Sequence, residues 1–236
     1  MLKDLFEYFK NHNRPETVEV GADIYSTSQL RKLNVERGIA ALSLRSLSGL
    51  VDYVKSDFDT TREFMVHVQS PTAVRLYDAL NADNERREYM SSDALLPRIS
   101  FDSFMDRENF AIQMQSNFIQ DAETTKVLKF IASVSEENSK ETRDNGVSQS
   151  VVAKTGIATV AEAEVPNPVY LRPFRTFVEV PQPESAFVLR MKEGPRVALF
   201  EADGAAWELT AMSNIEDYLR EALTDEIDSG KVIIVA

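Results

Sequence analysis

Carboxylate pairs are the first residues in this sequence whose type and spacing could do chemistry. Glu162 and Glu164 sit in an alternating Ala-Glu-Ala-Glu-Val run, which on a strand turns both carboxylates to one side. Asp102 and Asp106 fall one helical turn apart. Carboxylates placed like this can hold magnesium and support phosphoryl chemistry. A carboxylate-metal nuclease acting through Glu162 and Glu164 is therefore one function class. Against it, a solvated acidic face is the commoner use of such acids, and no Asp…Glu-x-Lys pattern accompanies them.

A second constellation is basic and aromatic. Arg172, Arg175, Arg190, Lys192 and Arg196 are interleaved with Tyr170, Phe174 and Phe177, and no other part of the chain mixes the two types so closely. Phosphates pair with such cations while bases stack on the rings, so a nucleotide or single strand is the ligand this mixture suits. The competing use is cross-strand pairing with Glu179, Glu184, Glu193 and Glu201. Trp207, beside Ala205 and Ala206, reads as a packing anchor or as an interface hot spot.

Other chemistries lack their parts. His12 and His67 are the only histidines, and they fall in different elements, so neither a two-histidine metal site nor a Ser–His–Asp triad can be argued. The eight glycines form neither a dinucleotide fingerprint nor a phosphate loop. Lys154-Thr155-Gly156 copies a triad of penicillin-recognising enzymes, but no Ser-x-x-Lys partner exists in the chain. No catalytic residue and no cofactor is assigned.

The absence of cysteine excludes disulfides, thiolate zinc and cysteine nucleophiles. A formal charge of −12 opposes phosphate-backbone binding by the surface as a whole, though not by a local patch. The start, MLKDLFEYFKNHN, carries acids and lacks the basic and apolar regions of a secretory signal. No run approaches the roughly 20 apolar residues a membrane helix needs. The expected setting is the cytoplasm of a host cell, with no membrane partner. A chain this long should bury about 70–75% of its unfolded surface and needs no staple.

The elements that must position these residues follow from periodicity. Residues 2–11 read as a short amphipathic helix, Val18, Val20 and Ile24 as an extended piece, and residues 28–33 as a helical turn. A strand over 39–44 precedes a helix over 47–56 with Ser46 as its cap. Residues 64–68 form a strand, and 73–80 and 87–95 pair as a hairpin. The spacing of Phe101, Phe104, Met105, Ala111, Ile112, Phe118 and Ile119 predicts one helix over 101–119, with Phe104, Ile112 and Phe118 buried. Asp121 caps a second helix with Val127, Leu128, Ile131 and Val134 inward, and the polar run 135–146 either continues it to a stop at Asn145-Gly146, the favoured reading, or forms a flexible loop.

Strands at Val151-Val152 and 161–165 lead into the densest stretch, 169–203. Its β-formers and turn residues predict three or four short strands, with Phe187, Leu189 and Met191 inward. Ser213 is read as the cap of a helix carrying Ile215, Tyr218, Leu219, Ala222 and Leu223 inward. The chain then turns at 228–230 into a last strand, Val232, Ile233, Ile234 and Val235, apolar on both faces. The fold class is α+β. It divides into a mixed α/β layer (1–98), a helical segment (99–146) and an antiparallel β block with terminal helix and strand (147–236). These parts can form one continuous domain.

In this order of elements the chain resembles the YfdQ-like prophage family, whose function is unknown. The stretches that carry the likeness are VEVGADIYSTSQLRKLN, LSLRSLSGLVDYV, MVHV, FDSFMDRENFAIQMQSNF, NGVSQSVVAKTG and IEDYLREAL. The resemblance implies an accessory protein of a tailed phage or prophage, often encoded near replication or recombination functions. It implies no reaction and no catalytic residues.

The function expected is therefore a non-enzymatic phage accessory protein that assembles with itself and binds a partner. Trp207 and the strand Val232, Ile233, Ile234 and Val235 are its interface candidates. The alternative is a nucleic-acid- or nucleotide-binding protein of a recombination or counter-defence module, working through the basic–aromatic constellation.

Overall fold

The computed structural model describes residues 2–5, 16–20, 23–26, 40–58, 63–81, 84–134, 143–144, 149–154, 160–192, 194 and 196–236. The chain divides into two compact units, Met1–Gly38 and Ile39–Ala236. In the first, residues 2–5 are helical, and β1 (Thr17–Val20) pairs antiparallel with β2 (Asp23–Ser26). The expected extended piece is this hairpin. The rest of the expected first helix and the turn over 28–33 lie outside the described residues.

The second unit contains both helices and strands in several sheets, an α+β fold. Its first sheet is mixed, in the order β14-β4-β5-β6-β3. The strands are β3 (Leu42–Leu44), β4 (Phe64–Ser70), β5 (Ala73–Asp78), β6 (Glu88–Asp93) and β14 (Val232–Val235). Alternation decides which face is covered. Phe64, Val66 and Val68 of β4 and Val74 and Leu76 of β5 are buried, and the residues between them are half-exposed. The buried face meets α1 (Leu47–Ser56) and α4 (Ala206–Ala222) through Leu50, Val54, Ile215 and Leu219. Ser46 caps α1 as its sequence predicts: the side chain accepts the Gly49 N–H at 3.2 Å. The hairpin of β5 and β6 also forms as expected, turning at Asn81, whose carboxamide accepts the Glu85 N–H at 2.9 Å.

The terminal helix and strand thus complete the first sheet instead of extending the β block. Long-range pairing decided this, because β14 runs parallel to β4 and parallel partners need a crossover. The three-part division at 98 and 146 does not follow the packing; Ile39–Ala236 is one compact unit. Helix α4 also begins at Ala206, seven residues before the expected cap Ser213, which sits exposed within it. Its start is set by backbone: Gly204 and Ala205 take φ of 61° and 64°, and no side chain caps the first turn.

The second sheet has the order β11-β12-β13-β7, all antiparallel: β7 (Met105–Asp106), β11 (Val169–Leu171), β12 (Ser185–Lys192) and β13 (Arg196–Glu201). Phe187, Leu189 and Met191 are buried as their alternation predicts. Helices α2 (Arg107–Asn117) and α3 (Ala122–Ser133) cover that inner face with Phe110, Met114, Val127 and Ile131.

The single helix expected over 101–119 is shorter. Asp106 caps α2, its carboxylate accepting the Asn109 backbone N–H at 2.9 Å and the Asn109 side-chain N–H at 2.6 Å. These bonds hold Asp106 below the usual carboxylate range. Residues 105–106 pair with β13, and Asp102 has φ 58°. Asp102 and Asp106 are therefore not one helical turn apart. Starting later rotates the buried stripe onto Phe110 and Met114. Phe118 is buried as expected, but Ile112 is 55% exposed and Phe104 is only half-buried.

Asp121 caps α3 as predicted, accepting the Thr124 N–H at 2.9 Å. The helix ends at Ser133 with Val134 extended, so it does not continue to 146; β8 (Arg143–Asp144) is already strand. β8 joins β9 (Gln149–Lys154) and β10 (Val160–Glu164) in a three-stranded antiparallel sheet, of which the last two were expected.

Two side-chain amides continue the second sheet where β11 stops. β11 pairs with residues 185–187 of β12. One step further, Asn167 takes the place of a strand: its carboxamide accepts the Leu189 N–H at 2.7 Å and donates to the Leu189 carbonyl at 3.0 Å. At the following step buried Gln149 does the same for Met191, at 2.8 and 2.7 Å. A buried N–H and C=O cannot be left unpaired without cost. Gln149→Leu keeps the volume and removes both bonds. It is expected to cost about 1–3 kcal/mol, which lowers the melting temperature of a chain this size by roughly 3–10 °C. An unchanged melting temperature would show that water replaces the amide.

Candidate functional site

Residues 172–184 form an irregular segment that reaches both cores. Phe177 and Val180 belong to the first, whereas Leu171 just before and Phe187 just after belong to the second. Gln182 braces the segment from inside: it accepts the Arg175 N–H at 3.0 Å and donates to the Phe177 carbonyl at 3.0 Å. Three contacts tie it outward. Thr176 Oγ1 donates to the Pro71 carbonyl at 2.5 Å, and Asn214 Nδ2 donates to the Pro181 carbonyl at 2.9 Å. Glu179 accepts the Leu47 N–H at 2.9 Å, so a carboxylate 132 residues away meets the positive end of α1. Burial pushes the nearby Tyr218 phenol up, and the charges of Glu179 and Asp52 add to the shift.

Arg175 is the buried charge at the centre of this segment. Its Nη1 meets Glu201 Oε1 at 2.6 Å, and its Nη2 lies against Ser185 Oγ and 3.9 Å from Asp203 Oδ2. The guanidinium lies 3.9 Å from the Trp207 ring centre and 5.7 Å from that of Phe187. Burial pulls its pKa down while Glu201 and Asp203 hold it up; an arginine keeps its proton under that balance. Trp207, half-buried over this cation, is a packing anchor with a cation–π contact.

The remaining members of the basic–aromatic constellation sort by strand parity. Arg175 lies on the inner side with Phe187, and Phe174 is half-buried with its N–H on the Asn117 carbonyl at 2.9 Å. Tyr170, Arg172, Arg190, Lys192 and Arg196 share the outer face of the second sheet, away from α2 and α3. Arg172 pairs with Glu184 at 3.3 Å. Arg196 donates to the Phe104 carbonyl at 2.7 Å, and Lys192 Nζ stands 4.1 Å from the Phe104 ring centre. Arg190 is half-buried opposite Ala198. Phe104 and Phe200, 5.9 Å apart, join this face and were not recognised from sequence. Parity along β13 could have found Phe200; the position of Phe104 depends on where α2 begins.

Glu162 and Glu164 lie on β10, opposite Val152 and Ser150, and their side chains fall outside the described residues. Among the described residues no three His, Asp or Glu side chains gather as metal ligands. His67 is half-buried on β4 opposite Arg75; His12 lies outside the described residues. No helix among the described residues is long and apolar enough to cross a membrane.

The terminal strand β14 is an edge. Among the described residues its one neighbour is β4, and the Phe64 N–H donates to the Lys231 carbonyl at 2.8 Å. Alternation then turns the N–H and C=O of Val232 and Ile234 away from β4, to the open side. Val232 is buried against α4, Ile234 is half-buried, and Ile233 is 56% and Val235 44% exposed on the uncovered face. That face continues through Met65, His67, Arg75 and Tyr77. A cavity of about 270 Å³ opens beside Ile233, lined also by Met65, Leu80 and Arg86. A larger one, about 520 Å³, lies between α2 and α3 over Ala111, Leu128 and Ile131.

No protein-family model matches the chain, and no curated protein or solved structure matches it either.

Proposed function

We propose that the chain is a non-enzymatic accessory protein that works by assembling with itself through β14 and offering its uncovered sheet face to a partner. The phage or prophage setting of this reading rests on the sequence stretches that resemble the YfdQ-like family. One observation carries the assembly itself: β14 has none of the devices that usually keep an edge from pairing. The other edges of the large sheets do. β3 has three residues and β7 two; β11 has three, with Pro168 and Pro173 beside it and the Asn167 and Gln149 amides beyond. β14 has four apolar residues and no charge. Lys231, the residue placed to guard it, is turned inward, its Nζ bonded to the Val54 carbonyl at 2.9 Å and to Asp57.

A second copy meeting this edge antiparallel would exchange bonds between Val232 and Ile234, bringing the two Ile233 side chains together on the uncovered face. Solution mass by light scattering at micromolar concentration tests this. The native chain is expected as a homo-oligomer and Ile233→Lys as a folded monomer that still melts cooperatively, at a lower temperature because association no longer stabilises it. Because Ile233 is already half-exposed, the substitution adds an edge charge without opening the core. A monomeric native chain overturns the proposal.

A further inference from the structure

Helices α2 and α3 each turn one side to the inner face of the second sheet and leave a groove between their other sides. They run antiparallel: Arg107, at the start of α2, donates to the carbonyl of Val134, just past the end of α3, at 2.7 Å. The groove encloses about 520 Å³, within the range of small-ligand sites. Its floor is apolar, with Ala111 on α2 and Leu128, Ile131 and Ala132 on α3. The alanines leave it open, and a longer side chain at either would occupy the space. The rim is charged. Lys129 stands exposed on α3 and makes no ion pair, hydrogen bond or ring contact among the described residues. Lys126, one turn back, is paired with Glu123 at 3.6 Å. Arg107 is already engaged, and Glu108 is the single acid among the described lining residues. The groove is therefore net positive in a chain with 38 acidic and 26 basic residues.

We propose that this groove binds a small apolar carboxylate, its hydrocarbon on the floor and its carboxylate at the Lys129 ammonium. Each part of such a ligand answers one part of the groove. Burial of the hydrocarbon against Ala111, Leu128 and Ile131 supplies the affinity. The ammonium sets sign and orientation, because a lysine with no acid partner attracts an anion and repels a cation. One ammonium suits one negative charge. A phosphate monoester would bring up to about two charges to that one lysine, with Glu108 on the same rim. An alcohol of the same length gains the burial and lacks the ion pair, so it binds more weakly. The groove lies on α2 and α3, away from β14, and stands or falls without the assembly proposed above.

Titration of the nitrogen-15-labelled chain with octanoate and with octan-1-ol, followed by amide chemical shifts, is the test. Octanoate should give saturable shifts at Ala111, Leu128, Lys129 and Ala132, and octan-1-ol should bind the same amides more weakly. Lys129→Gln should weaken octanoate by about fivefold, as the loss of one partly exposed ion pair, and leave octan-1-ol unchanged. Ala132→Leu, at an exposed position, should weaken both ligands by about tenfold or more by filling the floor. Lys126→Gln, on the same helix but paired with Glu123, should change neither. Unchanged thermal melts show that each variant is folded. Absence of saturable shifts in the native chain overturns the proposal. So does a Lys129→Gln chain that keeps the full preference for octanoate over octan-1-ol, and so do shifts centred on the cavity beside Ile233 in place of the groove.

Discussion

Arg175→Ala is expected to lower the melting temperature by about 10 °C, the largest loss for any single charged residue in the second sheet. The side chain is 8% exposed and touches four groups at once: Glu201, Asp203, Ser185 and the Trp207 ring. Removing one member of a buried ion pair strands its partners and costs about 3–5 kcal/mol. Glu201 is 41% exposed and can turn to water, which places the expected value at the lower end. Each kcal/mol moves the midpoint of a chain this size by roughly 2–4 °C. Arg175→Lys should recover little, because a single ammonium cannot bridge Glu201 and Ser185 while stacking on an indole. The double variant Arg175→Met, Glu201→Gln should recover more than Arg175→Lys, because it removes the stranded carboxylate together with the cation. A melting temperature within about 2 °C of native for Arg175→Ala would show that the cluster is solvated and holds nothing together.

The same residue shows how far the sequence could be read. Its neighbours Arg172, Arg190, Lys192 and Arg196 lie near it in the chain, and nothing in their spacing marks Arg175 as the one that is buried. Parity places Arg190, Lys192 and Arg196 on the outer face once the register of β12 against β13 is known, whereas Arg175 is buried by the path of the irregular segment that follows β11. Elements specified by local rules were legible. Ser46 and Asp121 cap their helices, the alternation of Phe187, Leu189 and Met191 marks β12, and the hairpin of β5 and β6 follows from its turn residues.

Three features were not legible, each set by a partner distant in sequence. β14 chooses β4 across more than 160 residues. Asn167 and Gln149 act as strand only because Leu189 and Met191 need partners. The start of α4 has no capping side chain, and so no sequence signal, whereas Ser213 inside the helix offers a good one. For the candidate sites the balance is similar. The apolar edge strand and the basic–aromatic composition were visible in the sequence. The inward turn of Lys231 and the outward-facing Phe104 and Phe200 needed the fold.

Phe110→Ala and Ile112→Ala, two residues apart on one helix, are expected to differ by more than any other adjacent pair in the chain. Phe110 is fully buried, at 0% exposure, against the inner face of the second sheet, with Met114 one turn on and Phe118 just past the helix end. Residues 110, 114 and 118 are spaced by four, which keeps them in one stripe. Truncating a buried phenylalanine removes its transfer energy and leaves a cavity, about 3–5 kcal/mol together. Ile112 is 55% exposed on the far side of the helix, where substitutions stay within about 0.5 kcal/mol. Phe104→Ala, expected from periodicity alone to rank with a core truncation, should fall between them, because its ring packs on Phe200 and under Lys192 outside the core. Denaturant midpoints at constant slope give the three values directly. The decisive comparison is the order. If Ile112→Ala costs more than Phe110→Ala, α2 is rotated and its buried stripe runs through Phe104 and Ile112, as a helix beginning at 101 would have it.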